Sequence, residues 1–168
     1  MNQKLHSYKE YAIQEAKNED ILFIKNVVFT VLREYGLSPD EKGKDKDLND
    51  IENNYFNKNG FFGVLTEDNE HVIGTFGIFQ IDKDICELRK MYLLKDYRGK
   101  GLGKFMLANA LNIAKEKKYK RIILETITPL KEAISLYKKF GFTEIMPKEK
   151  NSRVDQAFQL ILTGNKHD

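Results

Sequence analysis

Apolar residues recur at spacings of three and four along several parts of the chain, which is the pattern of one buried helix face. The clearest case is the stripe formed by Ile21, Ile24, Val28 and Leu32. Asn18 or Asp20 can cap this helix, which runs to about Tyr35 and is ended by Gly36. The same spacing predicts three further helices: a short one containing Leu48, Ile51, Tyr55 and Phe56, one from Leu102 to about Lys117, and one that starts at Thr128-Pro129 and ends at Gly141.

Other stretches are rich in β-branched and aromatic residues and are separated by turn-forming residues. They predict strands at Phe61–Thr66, Val72–Ile81, Ile85–Leu94, Arg121–Ile127, Thr143–Met146 and Ala157–Thr163, with a weakly strand-like run at Tyr8–Lys17. The strands between Phe61 and Leu94 follow one another through tight turns. This favours an antiparallel meander, since parallel pairing needs a long crossover. A β-α-β unit follows in the second half, so the pattern predicts one mixed sheet with helices packed against it.

The composition is that of a globular chain, with 168 residues of which 41% are hydrophobic and 32% are charged. We expect one domain over residues 1–168, in which residues 1–8 form a loosely ordered tail. The single cysteine, Cys86, excludes an internal disulfide, and the three histidines lie too far apart for a local metal motif. No apolar run approaches the roughly 18 residues of a membrane span. We expect a soluble, cytoplasmic protein without a metal.

Charge is distributed unevenly along the chain. The formal net charge is +3, but the stretch from Arg89 to Lys139 holds fourteen basic and four acidic residues, a local charge of +10. A basic block of this kind suits an anionic partner, either a nucleic acid or a phosphorylated small molecule. Part of it, Lys115–Arg121, also fits a solvated helix end, where cations complement the helix dipole. The basic residues around Arg98 differ, because glycines alternate with them.

The glycine loop, residues Tyr97–Lys104 (YRGKGLGK), lies directly after a predicted strand and directly before a predicted helix. Glycines allow positive φ and a close approach of the main chain to a ligand. A helix N-terminus adds unpaired N–H groups and partial positive charge, so the loop can hold a pyrophosphate, with Arg98, Lys100 and Lys104 adding charge. The spacing fits neither a Walker A loop nor the G-x-G-x-x-G fingerprint of dinucleotide-binding folds.

Three motifs in this order resemble the GNAT superfamily of acyl-CoA-dependent N-acetyltransferases. Arg98–Gly103 (RGKGLG) resembles the family's R/Q-x-x-G-x-G/A signature, and Glu87–Leu93 (ELRKMYL) is similar to its fourth strand. Ala133–Phe142 (AISLYKKFGF) is similar to its A-x-x-L-Y-x-x-x-G-F helix. One departure is Leu130, which stands where many relatives carry an asparagine that contacts the cofactor.

The resemblance implies an α+β, three-layer fold, with a largely antiparallel mixed sheet of six to seven strands flanked by four helices. It also implies acetyl-CoA as cosubstrate, with the pyrophosphate on the glycine loop and the pantetheine arm between two splayed strands. The residues implied in cofactor binding are Met91, Tyr92, Leu93, Arg98, Gly99, Lys100, Gly101, Leu102, Gly103, Lys104, Ala133 and Lys139. The Leu93 N–H would polarise the thioester carbonyl.

Transfer of an acetyl group to an amine needs two proton movements, one off the ammonium and one onto the departing thiolate. By the resemblance, Tyr137 is the general acid, although it also fits an apolar helix stripe. Glu87, by resemblance, and Glu125, a carboxylate inside an apolar strand, are alternative general bases, and a water-mediated route is a third. Cys86 is conceivable as an acyl carrier, but no histidine is near it in sequence, which favours a buried structural thiol.

Three functions remain open from the sequence: an N-acetyltransferase acting on a primary amine, a non-catalytic acyl-CoA sensor, and a nucleic-acid-binding protein. Tyr137 and the two strand carboxylates favour the enzyme, and the glycine loop is unexplained by nucleic-acid binding. The residues expected to line the acceptor site are Glu34, Tyr35, Asp40, Glu41, Tyr55 and Phe56, an acidic and aromatic set that suits a cationic amine. We expect neither a nucleic-acid nor a membrane partner. The resemblance is compatible with a homodimer.

Overall fold

The computed structural model describes residues 4–162, in which strands and helices follow one another largely as the hydrophobic pattern predicts. The strands in this range are β1 (Lys4–Tyr8), β2 (Tyr11–Glu15), β3 (Phe61–Glu67), β4 (His71–Gln80), β5 (Ile85–Leu93), β6 (Arg121–Thr126), β7 (Thr143–Ile145) and β8 (Gln156–Ile161). The α-helices in this range are α1 (Ile21–Glu34), α2 (Ile51–Asn54), α3 (Leu102–Glu116) and α4 (Lys131–Lys139).

All the strands join one sheet in the order β1-β2-β3-β4-β5-β6-β8-β7. Every neighbouring pair is antiparallel except β5 and β6, which α3 connects as a β-α-β unit. Helices cover both faces, because two separate clusters of buried residues lie against the sheet. Residues of α3 and α4 contribute to one cluster, and residues of α1 and α2 contribute to the other. The predicted three-layer, largely antiparallel fold is confirmed.

The two parallel strands separate soon after they begin. Pairing between β5 and β6 is limited to Ile85↔Arg121, Cys86↔Ile122 and Glu87↔Ile123. On its other side, β5 carries a bulge opposite Thr75–Gly77, where Lys90 has a φ of 52° and its carbonyl oxygen accepts a 2.7 Å hydrogen bond from the Thr75 hydroxyl. A bulge bends the strand that carries it. The sheet therefore opens between β5 and β6 beyond Glu87.

Three predictions about element boundaries differ from the structure. The described sheet has eight strands rather than six to seven. The additional strand is Lys4–Tyr8, which pairs with β2 where we expected a loose tail. Residues 1–3 of that expected tail lie outside the described range. The last strand ends at Ile161, and Thr163 lies outside the described range. Helix α4 begins at Lys131 rather than at Thr128-Pro129, because the Thr128 N–H and hydroxyl both bond to Asp155 Oδ1, at 2.8 and 3.1 Å.

The predicted end of α4 is confirmed. Gly141 has a φ of 93°, and the Phe142 N–H donates to the Tyr137 carbonyl at 3.1 Å, which closes the helix in a left-handed cap. Within residues 4–162, no helix is both long and apolar enough to cross a bilayer.

Candidate active site

The glycine loop presents a run of main-chain donors to solvent. Gly99 and Gly101 have φ values of 77° and 81°, and nothing lies within 4 Å of where a Cβ would stand on either residue. Across the described residues, we find no hydrogen-bond acceptor for the N–H groups of residues 99–104, whereas the Phe105 N–H bonds to the Gly101 carbonyl at 3.1 Å. Gly101 is the N-cap of α3 and has no side chain with which to cap it. These donors and the helix dipole form a concave anion site.

Arg98 anchors the loop rather than leaving its charge free. Its Nη1 and Nη2 donate to the two carboxylate oxygens of Glu34 at 2.6 and 2.8 Å, and its Nε donates to the Leu93 carbonyl at 3.0 Å. The hydrogen bond from Arg98 lowers the pKa of Glu34, and the same pairing raises the pKa of Arg98. The Arg98 N–H also bonds to the Lys95 carbonyl, so this amide is not available to a ligand. The guanidinium therefore ties the loop to the end of α1.

A cavity of about 530 Å³ extends from the glycine loop into the opening between β5 and α4. Ten of the residues expected to bind the cofactor line it: Met91, Tyr92, Leu93, Arg98, Gly99, Gly101, Gly103, Lys104, Ala133 and Lys139. The side chains of the other two point elsewhere. Leu102 is buried in the core, and Lys100 places Nζ 5.4 Å from the centre of the Tyr97 ring. We call this the smaller cavity.

A second cavity, of about 660 Å³, lies at the opening between β5 and β6 and is also lined by residues of α1. Its ionisable lining residues are Lys44, Glu87, Arg89, Lys90, Glu125, Lys148, Glu149 and Arg153, besides three tyrosines. We call this the larger cavity. It adjoins the smaller one, because both are lined by Val31, Tyr35, Met91, Tyr92, Leu130 and Tyr137. Leu130, the departure from the family pattern, is thus an apolar residue at the junction.

Tyr137 stands at the junction of the two cavities. Its ring packs against Phe142 and Phe158, with centroids 5.7 and 6.4 Å away, and only 6% of the residue is exposed. No described residue hydrogen-bonds its hydroxyl, and that oxygen is not among the fully buried atoms without a partner. The hydroxyl therefore opens into the cavities. Burial, with a contribution from Tyr92, raises the Tyr137 pKa well above its usual range, so the phenol stays protonated at neutral pH.

The two candidate bases lie in different surroundings within the larger cavity. Glu87 accepts a hydrogen bond from Arg89 Nε at 2.7 Å, and the Arg89 guanidinium lies 3.6 Å from the centre of the Phe79 ring. Glu125 has no hydrogen-bond partner among the described residues. Burial, and then the charge of Glu87, raises the pKa of Glu125. An unpaired carboxyl and an ion-paired one therefore face the same space.

Two loops that are distant in sequence close the larger cavity. Arg153 Nη1 and Nη2 bond to the two carboxylate oxygens of Asp45 at 2.7 and 2.8 Å, and Nη2 also bonds to the Ser38 carbonyl at 2.6 Å. Lys90 Nζ lies 3.1 Å from Asp45 Oδ1 and 3.3 Å from Asp47 Oδ1. Asp45 is completely buried, and burial opposes its ionisation. The hydrogen bonds from Arg153 and from the Asp40 N–H, together with the charge of Lys90, outweigh this effect and lower the pKa of Asp45 to about 2.

Of the six residues expected to line the acceptor site, five line neither cavity and make other contacts. Only Tyr35 lines the larger cavity. Glu34 pairs with Arg98, Glu41 pairs with Lys25 at 2.8 Å, and Asp40 caps the turn at Lys44. Tyr55 is fully buried and donates to Asp47, while Phe56 packs against the core. The pair of Glu34 with Arg98 spans 64 residues and has no sign in the local sequence.

Sequence reasoning missed several residues of the lining, most of them cationic. Arg89, Lys90, Lys148 and Arg153 reach the larger cavity, and Lys131, Ser135 and Leu136 reach the smaller one. The position of Arg89, two residues after Glu87 on a strand, is a sign that both share a face. Nothing local indicates that Arg153 meets Asp45. In the described range, no three His, Cys, Asp or Glu side chains cluster as metal ligands.

Cys86 lies where β5 and β6 are still paired, outside the lining of both cavities. The thiol is completely buried, and burial raises its pKa to about 12. A thiol of this kind is a poor nucleophile, since the thiolate is the reactive form.

Comparison with known proteins gives one consistent family. The sequence model of the acetyltransferase (GNAT) family matches residues 27–142. The uncharacterized N-acetyltransferase YjgM of Escherichia coli K12 is 41% identical over 128 residues, which cover 73% of this chain and 75% of YjgM.

Solved structures agree at the level of the fold. A GNAT family acetyltransferase from Staphylococcus aureus Mu50 superposes with a TM-score of 0.83 at 26% identity, covering 91% of this chain and 99% of that one. The PaiA N-acetyltransferase of Thermoplasma acidophilum, solved in complex with coenzyme A, has a TM-score of 0.71 at 22% identity and covers 90% of this chain and 98% of its own.

Proposed function

The chain belongs to the GNAT acetyltransferase family and is an acetyl-CoA-dependent acyltransferase, and on that premise we propose that it transfers the acetyl group directly to a primary amine. In this proposal the smaller cavity holds acetyl-CoA and the larger cavity holds the amine. Both are bound at once in a ternary complex, without an acyl-enzyme.

The observation that carries this proposal is the junction between the two cavities. The six residues that line both include Met91, Tyr92 and Tyr137, so molecules in the two cavities can meet there. A thioester and an amine held at such a junction gain the rate advantage of proximity. A protein that only senses acyl-CoA does not need a second cavity that joins the cofactor cavity next to Tyr137.

The residues of the smaller cavity fit coenzyme A. The free N–H groups of residues 99–104 and the N-terminus of α3 suit a pyrophosphate, and Lys104, Lys131 and Lys139 add positive charge along the same wall. The opening between β5 and β6 leaves the edge of β5 at Met91–Leu93 available to pair with an extended, amide-containing arm. PaiA of T. acidophilum, which has the same fold, binds coenzyme A. The bound thioester supplies an electrophilic acyl carbon next to a sulfur leaving group.

The transfer then needs the following proton movements. The acceptor ammonium loses a proton to a base, its nitrogen forms an amide bond to the acyl carbon and releases a second proton, and the carbon–sulfur bond breaks. The Tyr137 hydroxyl, protonated and without a partner, donates to the departing sulfur and regains its proton from the one that the nitrogen releases. The Leu93 N–H polarises the acyl oxygen, as the resemblance implies.

We assign the base to Glu125 rather than to Glu87. Glu125 has a raised pKa and no pairing partner, whereas Glu87 is held by Arg89. A base is more effective when its pKa lies nearer to the working pH. The pH dependence of kcat/KM tests the assignment: its ascending limb should persist in Glu87→Gln and disappear in Glu125→Gln. The reverse result would move the role to Glu87.

Replacing Tyr137 by Phe tests the proposed acid. We expect kcat to fall by about 10²- to 10⁴-fold, because the proton is lost while the ring remains packed. The affinity for coenzyme A, measured by calorimetry, should stay unchanged. Tyr119→Phe is the matched control, since that hydroxyl bonds to the Asn59 carbonyl at 2.8 Å and lies outside both cavities. A Tyr137→Phe enzyme with wild-type kcat would remove Tyr137 from the mechanism.

A further inference from the structure

The larger cavity contains one cationic group that is fixed in place but only partly paired. The Arg89 guanidinium lies on the Phe79 ring, 3.6 Å from its centre, and its Nε is bound to Glu87 at 2.7 Å. No described residue accepts a hydrogen bond from its Nη1 or Nη2, and 29% of the side chain is exposed. Two parallel N–H donors held in this way match the two oxygens of a carboxylate.

A carboxyl group faces Arg89 across the opening between the strands. Glu87 is in register with Ile123, so two residues further along, Arg89 and Glu125 occupy equivalent positions on the same face of β5 and β6. Both side chains also line the larger cavity. A fixed cation and an unpaired carboxyl thus lie on opposite sides of one opening.

The remaining charges of the larger cavity favour a small acceptor of mixed charge over a polycation. Its lining has five basic and three acidic residues. Two of the basic ones, Lys90 and Arg153, are already bound to Asp45, and one of the acidic ones, Glu87, is bound to Arg89. Lys44 and Lys148 then remain against Glu125 and Glu149, with Arg89 only partly paired, so a polyamine would meet no excess of negative charge. An acceptor that carries both an ammonium and a carboxylate can pair with each side.

Resting on the proposed function, we propose that the acceptor is a small amino acid-like molecule whose carboxylate lies a few bonds from its amine. The carboxylate binds Arg89 through Nη1 and Nη2. The amine then lies toward Glu125 and Tyr137, at the junction with the smaller cavity. Arg89 is therefore the residue that selects the acceptor.

The experiment measures kcat/KM by release of free coenzyme A from acetyl-CoA. The acceptors are amino acids, each compared with its own carboxamide, and spermidine as a polycation. The proteins are the wild type, Arg89→Gln, and Arg121→Gln as a matched control, because Arg121 bonds to Gln159 at 3.0 Å and lines neither cavity. Binding of coenzyme A to each protein is measured first by calorimetry.

We expect the wild type to prefer the free acid over its amide by about 10- to 100-fold, the range for a charge-assisted pair. Arg89→Gln should reduce this ratio to about one, whereas Arg121→Gln should keep it. Arg89→Gln also removes the hydrogen bond to Glu87. Its kcat/KM toward the amides measures any effect of that loss. All three proteins should bind coenzyme A equally.

Several outcomes would overturn the assignment. These are equal or better turnover of amides or spermidine, an unchanged ratio in Arg89→Gln, and coenzyme A binding without turnover of any amino acid. Failure of the wild type to bind coenzyme A would instead contradict the proposed function. The two failures are therefore distinguishable.

Discussion

The two cavities differ in how the chain builds them. The anion site of the smaller cavity comes from one contiguous segment, Tyr97–Lys104, and most of its donors are main-chain N–H groups. The walls of the larger cavity are side chains brought together across the whole chain, including the contact of Arg153 with Ser38, 115 residues apart. A main-chain site depends on backbone conformation, which glycines specify locally. A side-chain site depends on tertiary packing, and so its specificity can change while the main-chain anion site stays the same.

Among the substitutions that test the difference between the two cavities, Asp45→Asn should have the largest effect. Asp45 is buried between Arg153 and Lys90, so removal of its charge leaves two cations without their partner and should destabilise the protein by about 3–5 kcal/mol. The loops that close the larger cavity should loosen, which raises KM for the amine. The affinity for coenzyme A should not change, because Asp45 lies outside the smaller cavity. Denaturant unfolding and calorimetry measure the two effects.

Asp84→Asn is the control for this substitution, because its pair with Lys120 is exposed and 3.3 Å long and should contribute about 1 kcal/mol or less. The free energy of unfolding at acidic pH provides a second measurement. The folded pKa of Asp45, about 2, lies below its ordinary 3.8, so its contribution is complete above pH 4 and is lost as the pH falls toward 2. The stability difference between wild type and Asp45→Asn should shrink over that range. Equal weakening of coenzyme A and amine binding would show that the two cavities are not independent.

The same contrast explains what the sequence could predict. The glycine loop, the meander and the Gly141 cap are local features, and all three lie where expected. The family resemblance is confirmed, since it rests on those local motifs. The start of α4 was mispredicted because Thr128 bonds to Asp155, a distant residue. Glu34 lies outside both cavities for a similar reason, since Arg98, which is 64 residues away in sequence, holds its carboxylate. The bulge at Lys90, which opens the sheet, has no local sequence sign.

Gly101→Ala should give a smaller effect, confined to the smaller cavity. No atom lies within 4 Å of the new Cβ, so the cost is the positive φ alone, about 1–2 kcal/mol of stability. A shift of the loop would remove one or two N–H bonds to the pyrophosphate, weakening coenzyme A binding by about 10- to 100-fold. Gly36→Ala is the matched control, because Gly36 has a φ of 72° and equally open surroundings but lines neither cavity. Equal affinities in the two variants would place the pyrophosphate elsewhere.

The smallest effect should come from Cys86, which lies beyond the closed end of the opening between β5 and β6, where the strands still pair. We expect iodoacetamide to leave the native enzyme unlabelled and fully active, because the thiol is buried and its pKa is raised to about 12. Unfolding in denaturant should expose the thiol to labelling, which controls for the reagent. Cys86→Ala should keep wild-type kcat while losing about 1 kcal/mol of stability through lost packing. Rapid native labelling that acetyl-CoA prevents, together with inactivation, would place the thiol in the site. An acyl-cysteine route would then replace direct transfer at Tyr137.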